Sequence, residues 1–574
     1  MYLTHKYIQQ NNMKEEIFNK WNQWTTKKLS DSDLNVELES IKNLDKEIED
    51  RFYRDLEFGT GGLRGIIGAG TNRMNIYTVA KASQGYSNFL KAREKSPSIA
   101  IAYDSRIKSD VFAKKAAEVY AANGIKVYIY PELMPTPALS FAVRYLKCSG
   151  GVVITASHNP AKYNGYKVYG SDGGQITTET ANCIYKEINA LDIFTDVKII
   201  KFDEAVAQEK ITYITNDVVR EYIEAVSSQS LCVDEIEKKL SIVYTPLNGS
   251  GLRCVKEVLT KNGFTNISVV SEQEKPDGNF TTCPYPNPEI KETLELGLRD
   301  AKKLGSDLIL ATDPDCDRVG IAVRYKKEYL LLSGNEVGML LFDYICKLRI
   351  KHHKMPKDPI MVKTIVTTDM VKKIAKNYGV QVIDVLTGFK FIGEQISLLQ
   401  NNGEEQRYIF GFEESYGYLT GGYVRDKDAV NASLMICEMF AYYRHQGISL
   451  AEVLNKLYKK YGYCLNTLHS FTFERAEGSL KMKGIMNFFR YNNLEKFADL
   501  KVIDAKDYLN GINGLPKSDV LKFSLIDDSS IVIRPSGTEP KLKVYLSVNG
   551  DSMENATALE KVIIKEIDQL LYTI

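Results

Sequence analysis

Paired cysteines are missing from this chain. Its nine cysteines are scattered singly among 574 residues, with no Cys-x-x-Cys pair. An odd number without a framework reads as reduced thiols, not as a disulfide scaffold. Histidine is scarce too: His5, His158, His352, His353, His445 and His469 are the full set, and with no Cys/His cluster the sequence argues against a zinc site. Neither sign of charge is in excess. Lys+Arg is 74 and Asp+Glu is 73, a net charge of +1, which argues against a nucleic-acid or membrane-surface partner. Long hydrophobic runs are absent. The most apolar run, Val337 to Cys346, is short and contains Asp343, so it is not a transmembrane span. The opening Met1-Tyr2-Leu3-Thr4-His5-Lys6 has no apolar signal core, and a cytoplasmic protein is expected. There is no low-complexity tract, no short repeat and no Gly-x-x-x-x-Gly-Lys-[Ser/Thr] phosphate loop.

What is present is enough chain for about four domains at roughly 150 residues each. Residues 1–52 are polar and charged, with Trp21, Trp24, Leu38, Ile41, Leu44 and Ile48 at roughly helical spacing, which predicts a helical packing extension without chemistry. Beyond it, apolar runs alternate with helical patterns. Ile99 to Tyr103, Lys126 to Tyr130 and Gly150 to Ile154 read as strands. Ser109 to Asn123 reads as a helix capped by Ser109 and stopped by Gly124, and Pro135 to Leu146 as a second helix. The same grammar returns at Leu240–Tyr244, Asp307–Ala311, Pro359–Val366 and Tyr408–Phe410. The last hundred or so residues change character: Phe523–Leu525 and Ile531–Ile533 flank Asp527-Asp528 like a hairpin, and Lys541 to Val548 alternates, which predicts a smaller α+β domain. The expected domains are 53–213, 214–330, 331–455 and 456–574, after the extension.

Several loops carry chemistry-bearing residues. The strand Gly150–Ile154 runs into Thr155-Ala156-Ser157-His158-Asn159-Pro160, a sequence that cannot continue a sheet. Ser157 should therefore sit at the carboxyl end of a strand, where open α/β sheets place ligands. It can serve as a nucleophile, a phosphate carrier or a turn residue. A turn at Asn164-Gly165 is expected to bring Lys167 back toward it. Asp313-Pro314-Asp315-Cys316-Asp317-Arg318 offers carboxylates at every second position, able to converge on one hard cation, with Mg²⁺ favoured; the plain alternative is a solvated acidic turn. An EF-hand is excluded because Arg318 and Arg324 stand where Gly and Glu are needed. Arg534-Pro535-Ser536-Gly537-Thr538-Glu539-Pro540 combines a guanidinium, two hydroxyls and a glycine turn, which suits a phosphate dianion or a tight turn between strands. Glu413-Glu414-Ser415, between Gly411 and Gly417, suits sugar hydroxyls on a glycine-hinged loop, or an acidic helix start. Phe58-Gly59-Thr60-Gly61-Gly62-Leu63-Arg64 fails the dinucleotide fingerprint and reads as a flexible loop with an anion-binding Arg64. Together the loops imply phosphoryl transfer on a phosphosugar, with Arg64, Arg318, Lys167 and Lys390 available to steady the transferred group.

These motifs, in this order, resemble the α-D-phosphohexomutases of phosphoglucomutase and phosphomannomutase type, over residues from about 55 to the end. Phe58 to Arg64, Leu386-Thr387-Gly388-Phe389-Lys390 and Arg425-Asp426-Lys427-Asp428 look closest to the branch of bacterial phosphoglucomutases and phosphopentomutase-like enzymes. The resemblance implies four domains around one cleft, three of related α/β build with mixed sheets and a C-terminal α+β domain. It implies a phosphoryl group carried on Ser157, one Mg²⁺ held by Ser157, Asp313, Asp315 and Asp317, and a proton shuttle at His158, Lys167 or Lys390. Arg318, Glu413, Ser415 and Lys427 would bind the substrate. Arg534, Ser536, Gly537 and Thr538 would hold the phosphate that is not reacting. The activity implied is interconversion of glucose 1-phosphate and glucose 6-phosphate through glucose 1,6-bisphosphate, in a monomer or homodimer. Mannose or pentose phosphates, a glucose 1,6-bisphosphate synthase and, more distantly, a non-catalytic phosphosugar-binding protein are the alternatives. Asn248 stands where this branch leads one to expect His, so that position is expected to be structural.

Overall fold

The structure, a computed structural model, describes residues 15–59, 61–232, 237–473, 475–512, 514–536 and 541–573. They fall in two compact units: one runs up to Ser230 and adds Lys239–Ala322 and Gly422–Leu434, and the other comprises Leu231–Lys238, Val323–Gly421 and the chain from Met435 on. No described helix is long and apolar enough to cross a membrane.

The first unit opens with helices α1 (15–25), α2 (Ser32–Ile41) and α3 (Asp45–Phe52). Trp24 is wholly buried among Phe52, Tyr77 and Phe194, each meeting it edge-on at 5.5 to 5.9 Å between ring centroids. Helices α1 to α3 are thus packed onto the rest of this unit by aromatic contacts.

A six-stranded mixed sheet follows. Its strands are β1 (Gly62–Ile66), β2 (Ser98–Tyr103), β3 (Lys126–Ile129), β4 (Gly150–Ile154), β5 (Tyr163–Gly170) and β6 (Ile211–Tyr213), in the order β1-β5-β4-β2-β3-β6. β4, β2, β3 and β6 run parallel, while β5 and β1 are antiparallel additions at one edge. Helices α4 (Ile76–Lys91), α5 (Ser109–Ala122) and α6 (Thr136–Tyr145) intervene. β4 is buried along its whole length, which is why it reads as apolar without alternation. Its two glycines allow close packing: a Cβ on Gly150 would come within 2.0 Å of the Tyr86 hydroxyl. The cap of α5 differs from expectation. The N-cap is Lys108, in a left-handed conformation, and the Ser109 hydroxyl donates instead to Asp104 at 2.7 Å. Gly124 stops the helix with φ +77°, as a C′ glycine does.

The second sheet of this unit orders β7 (Ile242–Thr245), β8 (Ile267–Val269), β9 (Leu308–Thr312) and β10 (Val319–Tyr325) as β10-β9-β7-β8, with β7 parallel to both β8 and β9.

The second unit contains β11 (Glu328–Leu332) and a sheet of β12 (Ile360–Thr364), β13 (Gln381–Val385), β14 (Tyr408–Glu413) and β15 (Gly417–Leu419), ordered β13-β12-β14-β15. The three longer strands are parallel and β15 folds back antiparallel on β14. The last sheet, β16 (Tyr463–Thr472), β17 (Lys496–Phe497), β18 (Leu500–Asp507), β19 (Leu521–Leu525), β20 (Ser530–Pro535) and β21 (Lys541–Gly550), is antiparallel throughout in the order β16-β21-β20-β19-β18-β17. Its apolar face packs on Ile485, Phe489, Ile563 and Ile567 of two helices, the α+β build expected of the C-terminal part.

Candidate active site

In the first unit, β4 and β9 both end in motif loops. Parallel strands in one unit put their carboxyl ends on the ligand side of the sheet, and here the two loops touch. The Ser157 hydroxyl donates to Asp313 Oδ2 at 3.1 Å and lies 3.2 Å from His158 Nδ1. Ser157 is buried and its φ is +53°, a left-handed conformation unusual for a residue with a Cβ. The Ser157 N–H donates to the Thr155 hydroxyl at 2.8 Å.

The chain reversal before Lys167 differs from expectation. Asn164 and Gly165 lie inside β5, paired with β1, and the loop between β4 and β5 makes the turn. Lys167 still reaches the site from β5: its amine is 2.9 Å from Asp315 Oδ2 and 3.7 Å from Asp317 Oδ2. Arg64 likewise sits on strand β1 and not on a flexible loop, and its guanidinium donates to Asn159 Oδ1 at 3.2 Å.

The acidic loop is tightly built. The Asp317 and Arg318 N–H groups donate to Asp313 Oδ1 at 3.1 and 3.0 Å, and Cys316 turns the loop with φ +52°. Asp315 Oδ2 also accepts the Thr136 hydroxyl at 3.0 Å. Arg318 pairs with Glu289. Lys427 arrives on the 422–434 segment and lies 2.8 Å from Asp317 Oδ2. That segment is anchored by Tyr169 and Gln175, which donate to Asp426 at 2.7 and 3.1 Å, and by Tyr222 and Tyr423, which donate to Asp428 at 3.0 and 2.7 Å.

The electrostatics follow from burial. Asp313, Asp315 and Asp317 are all fully buried, with ligand oxygens within 4.8 Å of one another. Desolvation, then repulsion from Asp315, pushes the Asp313 and Asp317 carboxyls up. Burial would raise Asp315 too, but the Lys167 and Lys427 ammoniums outweigh it and hold that carboxyl below the usual range. Loss of water, followed by the Arg318 and Arg64 charges, holds the His158 imidazole well below its ordinary value. Asp315 Oδ1 and Asp317 Oδ1 are buried oxygens without a hydrogen-bond donor among the described residues. Buried anionic oxygens left over in a three-carboxylate cluster fit a hard divalent cation.

In the second unit, Glu413 ends β14 and is buried, and Glu413 pairs with Gly417 across the β14–β15 hairpin. Gly411 and Gly417 are therefore strand residues and not hinges; a Cβ on Gly411 would meet the Tyr408 hydroxyl at 2.6 Å. The motif is a hairpin turn, not a helix start, with Tyr416 at φ +66° and Ser415 half-buried. Lys390 stands in the first turn of the helix Phe389–Asn401, its amine 5.0 Å from the Phe391 ring centroid and its pKa lowered by burial. Arg534 is half-buried on β20 and the Ser536 N–H donates to the Lys541 carbonyl at 2.7 Å, while Gly537 and Thr538 lie outside the described residues. Asn248 is buried and structural, donating to the Lys275 carbonyl at 2.8 Å and accepting from the Thr282 hydroxyl at 3.0 Å.

Thr136, Glu289 and Arg106 lie at this site but were not singled out from the sequence, and Asp426 stood there only within the Arg425–Asp428 motif. Their signal was positional: Asp104-Ser105-Arg106 also follows a parallel strand, β2.

A serine hydroxyl set against a buried three-carboxylate cluster that fits a divalent cation is an arrangement suited to phosphoryl transfer. Four family models match the chain in order: phosphoglucomutase/phosphomannomutase alpha/beta/alpha domain I over residues 55–193, domain II over 220–326, domain III over 333–461, and the C-terminal domain over 489–565. The chain belongs to the phosphoglucomutase/phosphomannomutase family. It is 36% identical over 522 residues to a phosphoglucomutase of Staphylococcus haemolyticus, covering 89% of this chain and 93% of that one. A Staphylococcus aureus phosphoglucomutase is 36% identical over 520 residues, covering 88% of this chain and 91% of that one. The fold is shared with parafusin, a phosphoglucomutase of Paramecium in an open form (TM-score 0.68, 19% identity, 90% of this chain and 95% of that one). It is also shared with a phosphoglucomutase/phosphomannomutase family protein of Burkholderia thailandensis (TM-score 0.65, 17% identity, 89% and 97%).

Proposed function

We propose that this protein is a phosphoglucomutase, interconverting glucose 1-phosphate and glucose 6-phosphate through a phosphoserine at Ser157 and a glucose 1,6-bisphosphate intermediate. The observation that carries the reading is the Ser157 hydroxyl at 3.1 Å from Asp313, inside the buried triad with Asp315 and Asp317. The relatives named phosphoglucomutase support the choice of sugar.

Asp313, Asp315 and Asp317 would hold one Mg²⁺ per chain, which supplies neutralisation of the charge on the transferred group. The chain's own residues do the rest. The Ser157 Oγ–P bond breaks as the free sugar hydroxyl forms its own bond to phosphorus. The hydroxyl's proton passes to a base and Ser157 is left to be reprotonated. We favour His158 as the base on geometry: its Nδ1 lies 3.2 Å from the Ser157 oxygen, whereas the Lys167 amine is engaged by Asp315 at 2.9 Å. Arg64 and Arg318 are at hand for the oxygens of the transferred group. Lys427 lies 2.8 Å from Asp317 Oδ2 and can exchange that contact for substrate. We assign the sugar hydroxyls to Glu413 and Ser415, and the non-reacting phosphate to Arg534, Ser536, Gly537 and Thr538. The bisphosphate then turns end over end and returns its other phosphate to Ser157.

Turnover with Mg²⁺ on glucose 1-phosphate, mannose 1-phosphate and ribose 1-phosphate, each with a trace of its bisphosphate, tests the reading. A preference for glucose 1-phosphate is expected. A preference for the pentose would keep the mechanism and overturn the substrate, and no turnover on any of them would overturn the mutase.

A further inference from the structure

We propose that Arg106 is the positioning residue that holds Ser157 in its left-handed conformation, an inference that rests on Ser157 being the phosphoryl carrier. A non-glycine residue at φ +53° is strained by about 1 kcal/mol or more and persists only where its surroundings over-determine it. Arg106 supplies that constraint. It lies on the loop after β2, and its side chain is wholly buried. Nη2 donates to the Ser157 and Asn159 carbonyls, and Nη1 donates to the Pro160 and Tyr163 carbonyls, both at 3.1 Å. One guanidinium therefore gathers three carbonyls of the loop that carries Ser157 and that of Tyr163, where the loop enters β5.

The guanidinium is itself fixed. Its Nε lies 3.3 Å from Asp104 Oδ2, while Asp104 Oδ1 accepts the Arg106 N–H at 2.9 Å and the Ser109 hydroxyl at 2.7 Å. The Phe280 ring centroid lies 5.0 Å from its central carbon. Every donor of the planar fork has a fixed direction, and each of its two terminal nitrogens serves the Ser157 loop. A lysine keeps the charge but offers a point donor that cannot span four carbonyls. The contacts of both terminal nitrogens all fall between residues 157 and 163.

The test uses the full chain with Arg106→Lys, and with Asp104→Asn as a second variant that loosens the guanidinium while keeping it. Three quantities are read: the rate at which Ser157 takes phosphate from glucose 1,6-bisphosphate, followed by intact mass; KM for glucose 1-phosphate; and hydrogen exchange of the 155–165 backbone. Thermal melting selects the folded variants. For a misplaced nucleophile the uptake rate falls about 100-fold while KM moves less than about threefold, because binding groups outside the loop are untouched. Exchange in 155–165 speeds up about tenfold and stays unchanged in the other strands of the sheet. Uptake and exchange at the wild-type level in a folded variant of either kind would overturn the proposal. If wild-type protein takes no phosphate on Ser157, the carrier reading fails on its own, and the exchange comparison still decides whether Arg106 orders the loop.

Discussion

Ser157 and Asp313 stand 156 positions apart in the chain, and the serine hydroxyl donates to the aspartate carboxylate at 3.1 Å. The other oxygen of Asp313 is held by the Asp317 and Arg318 N–H groups, so the carboxylate facing Ser157 cannot rotate away without breaking two hydrogen bonds from the backbone. The serine hydroxyl and the carboxylate cluster are thus joined directly.

Replacing Ser157 removes the hydroxyl proposed to carry the phosphoryl group and keeps the backbone contacts of its loop. Ser157→Ala should lower mutase turnover by about 10³-fold or more. It should lower unfolding free energy by about 1–3 kcal/mol, because the buried Asp313 carboxylate loses its hydroxyl donor while the backbone contacts to Thr155 and Arg106 remain. Paired kinetic and urea-denaturation measurements check both parts, and substantial turnover in the folded variant would contradict the role of Ser157.

The triad should announce its cation through stability. Added Mg²⁺ at about 100 times its Kd should stabilise the wild type by about 2.7 kcal/mol, seen as a rise in melting temperature. Asp313→Asn should abolish that rise. Burial and the two neighbouring carboxylates push the Asp313 carboxyl up, so the amide should also make the metal-free protein no less stable than wild type. A full Mg²⁺ response in Asp313→Asn would contradict the site.

The aromatic anchor of the N-terminal helices is structural. Trp24→Ala empties a fully buried site between Phe52, Tyr77 and Phe194 and should cost about 3–5 kcal/mol. With the protein kept folded below its new melting point, kcat should stay within about twofold, because the variant leaves every group at Ser157 in place. A large fall in kcat at full folding would give the extension a catalytic part.

The second unit carries a pH-dependent element. Lys363, wholly buried, lies 2.9 Å from Asp369 and 3.0 Å from Asp384, and Lys522 reaches Asp369 at 2.9 Å. Burial alone would raise the Asp369 carboxyl, but Lys363, Lys522 and Lys372 together hold it below the usual range. A carboxyl depressed in the folded state contributes stability above its unfolded pKa of about 3.9, and that contribution is lost as pH falls toward the folded value. Urea midpoints measured from pH 7 down to pH 3 should therefore fall more steeply below about pH 4 for wild type than for Asp369→Asn. The variant should already be about 3–5 kcal/mol weaker at pH 7, with buried lysines left short of a counter-charge. Parallel curves would contradict the assignment.

Much of this was legible in the chain because the motifs follow apolar, β-branched strands. Gly150–Ile154 and Leu308–Thr312 are buried throughout and end where Ser157 and Asp313 begin, so both strand and loop could be read locally. Asn164-Gly165 misled because that pair favours turns, yet it lies in β5, where the Asn164 amide donates to the Ile107 carbonyl and the Ser109 hydroxyl, both at 3.0 Å. Gly411 misled similarly: it reads as a hinge but is needed for packing under Tyr408. The partners of Lys167, Lys427 and Arg106 could not be read at all. The sequence around a cation does not show which carboxylates or carbonyls the fold brings to it from distant positions.

The most direct measurement is a single-turnover transfer. Protein carrying radiolabelled phosphate on Ser157 is mixed with excess unlabelled glucose 1-phosphate and Mg²⁺, and the label is followed. The account predicts that it leaves Ser157 for glucose 1,6-bisphosphate and then glucose 6-phosphate, with none appearing first as inorganic phosphate. Label that stays on Ser157, or that is released to water, would contradict phosphoryl transfer through this serine.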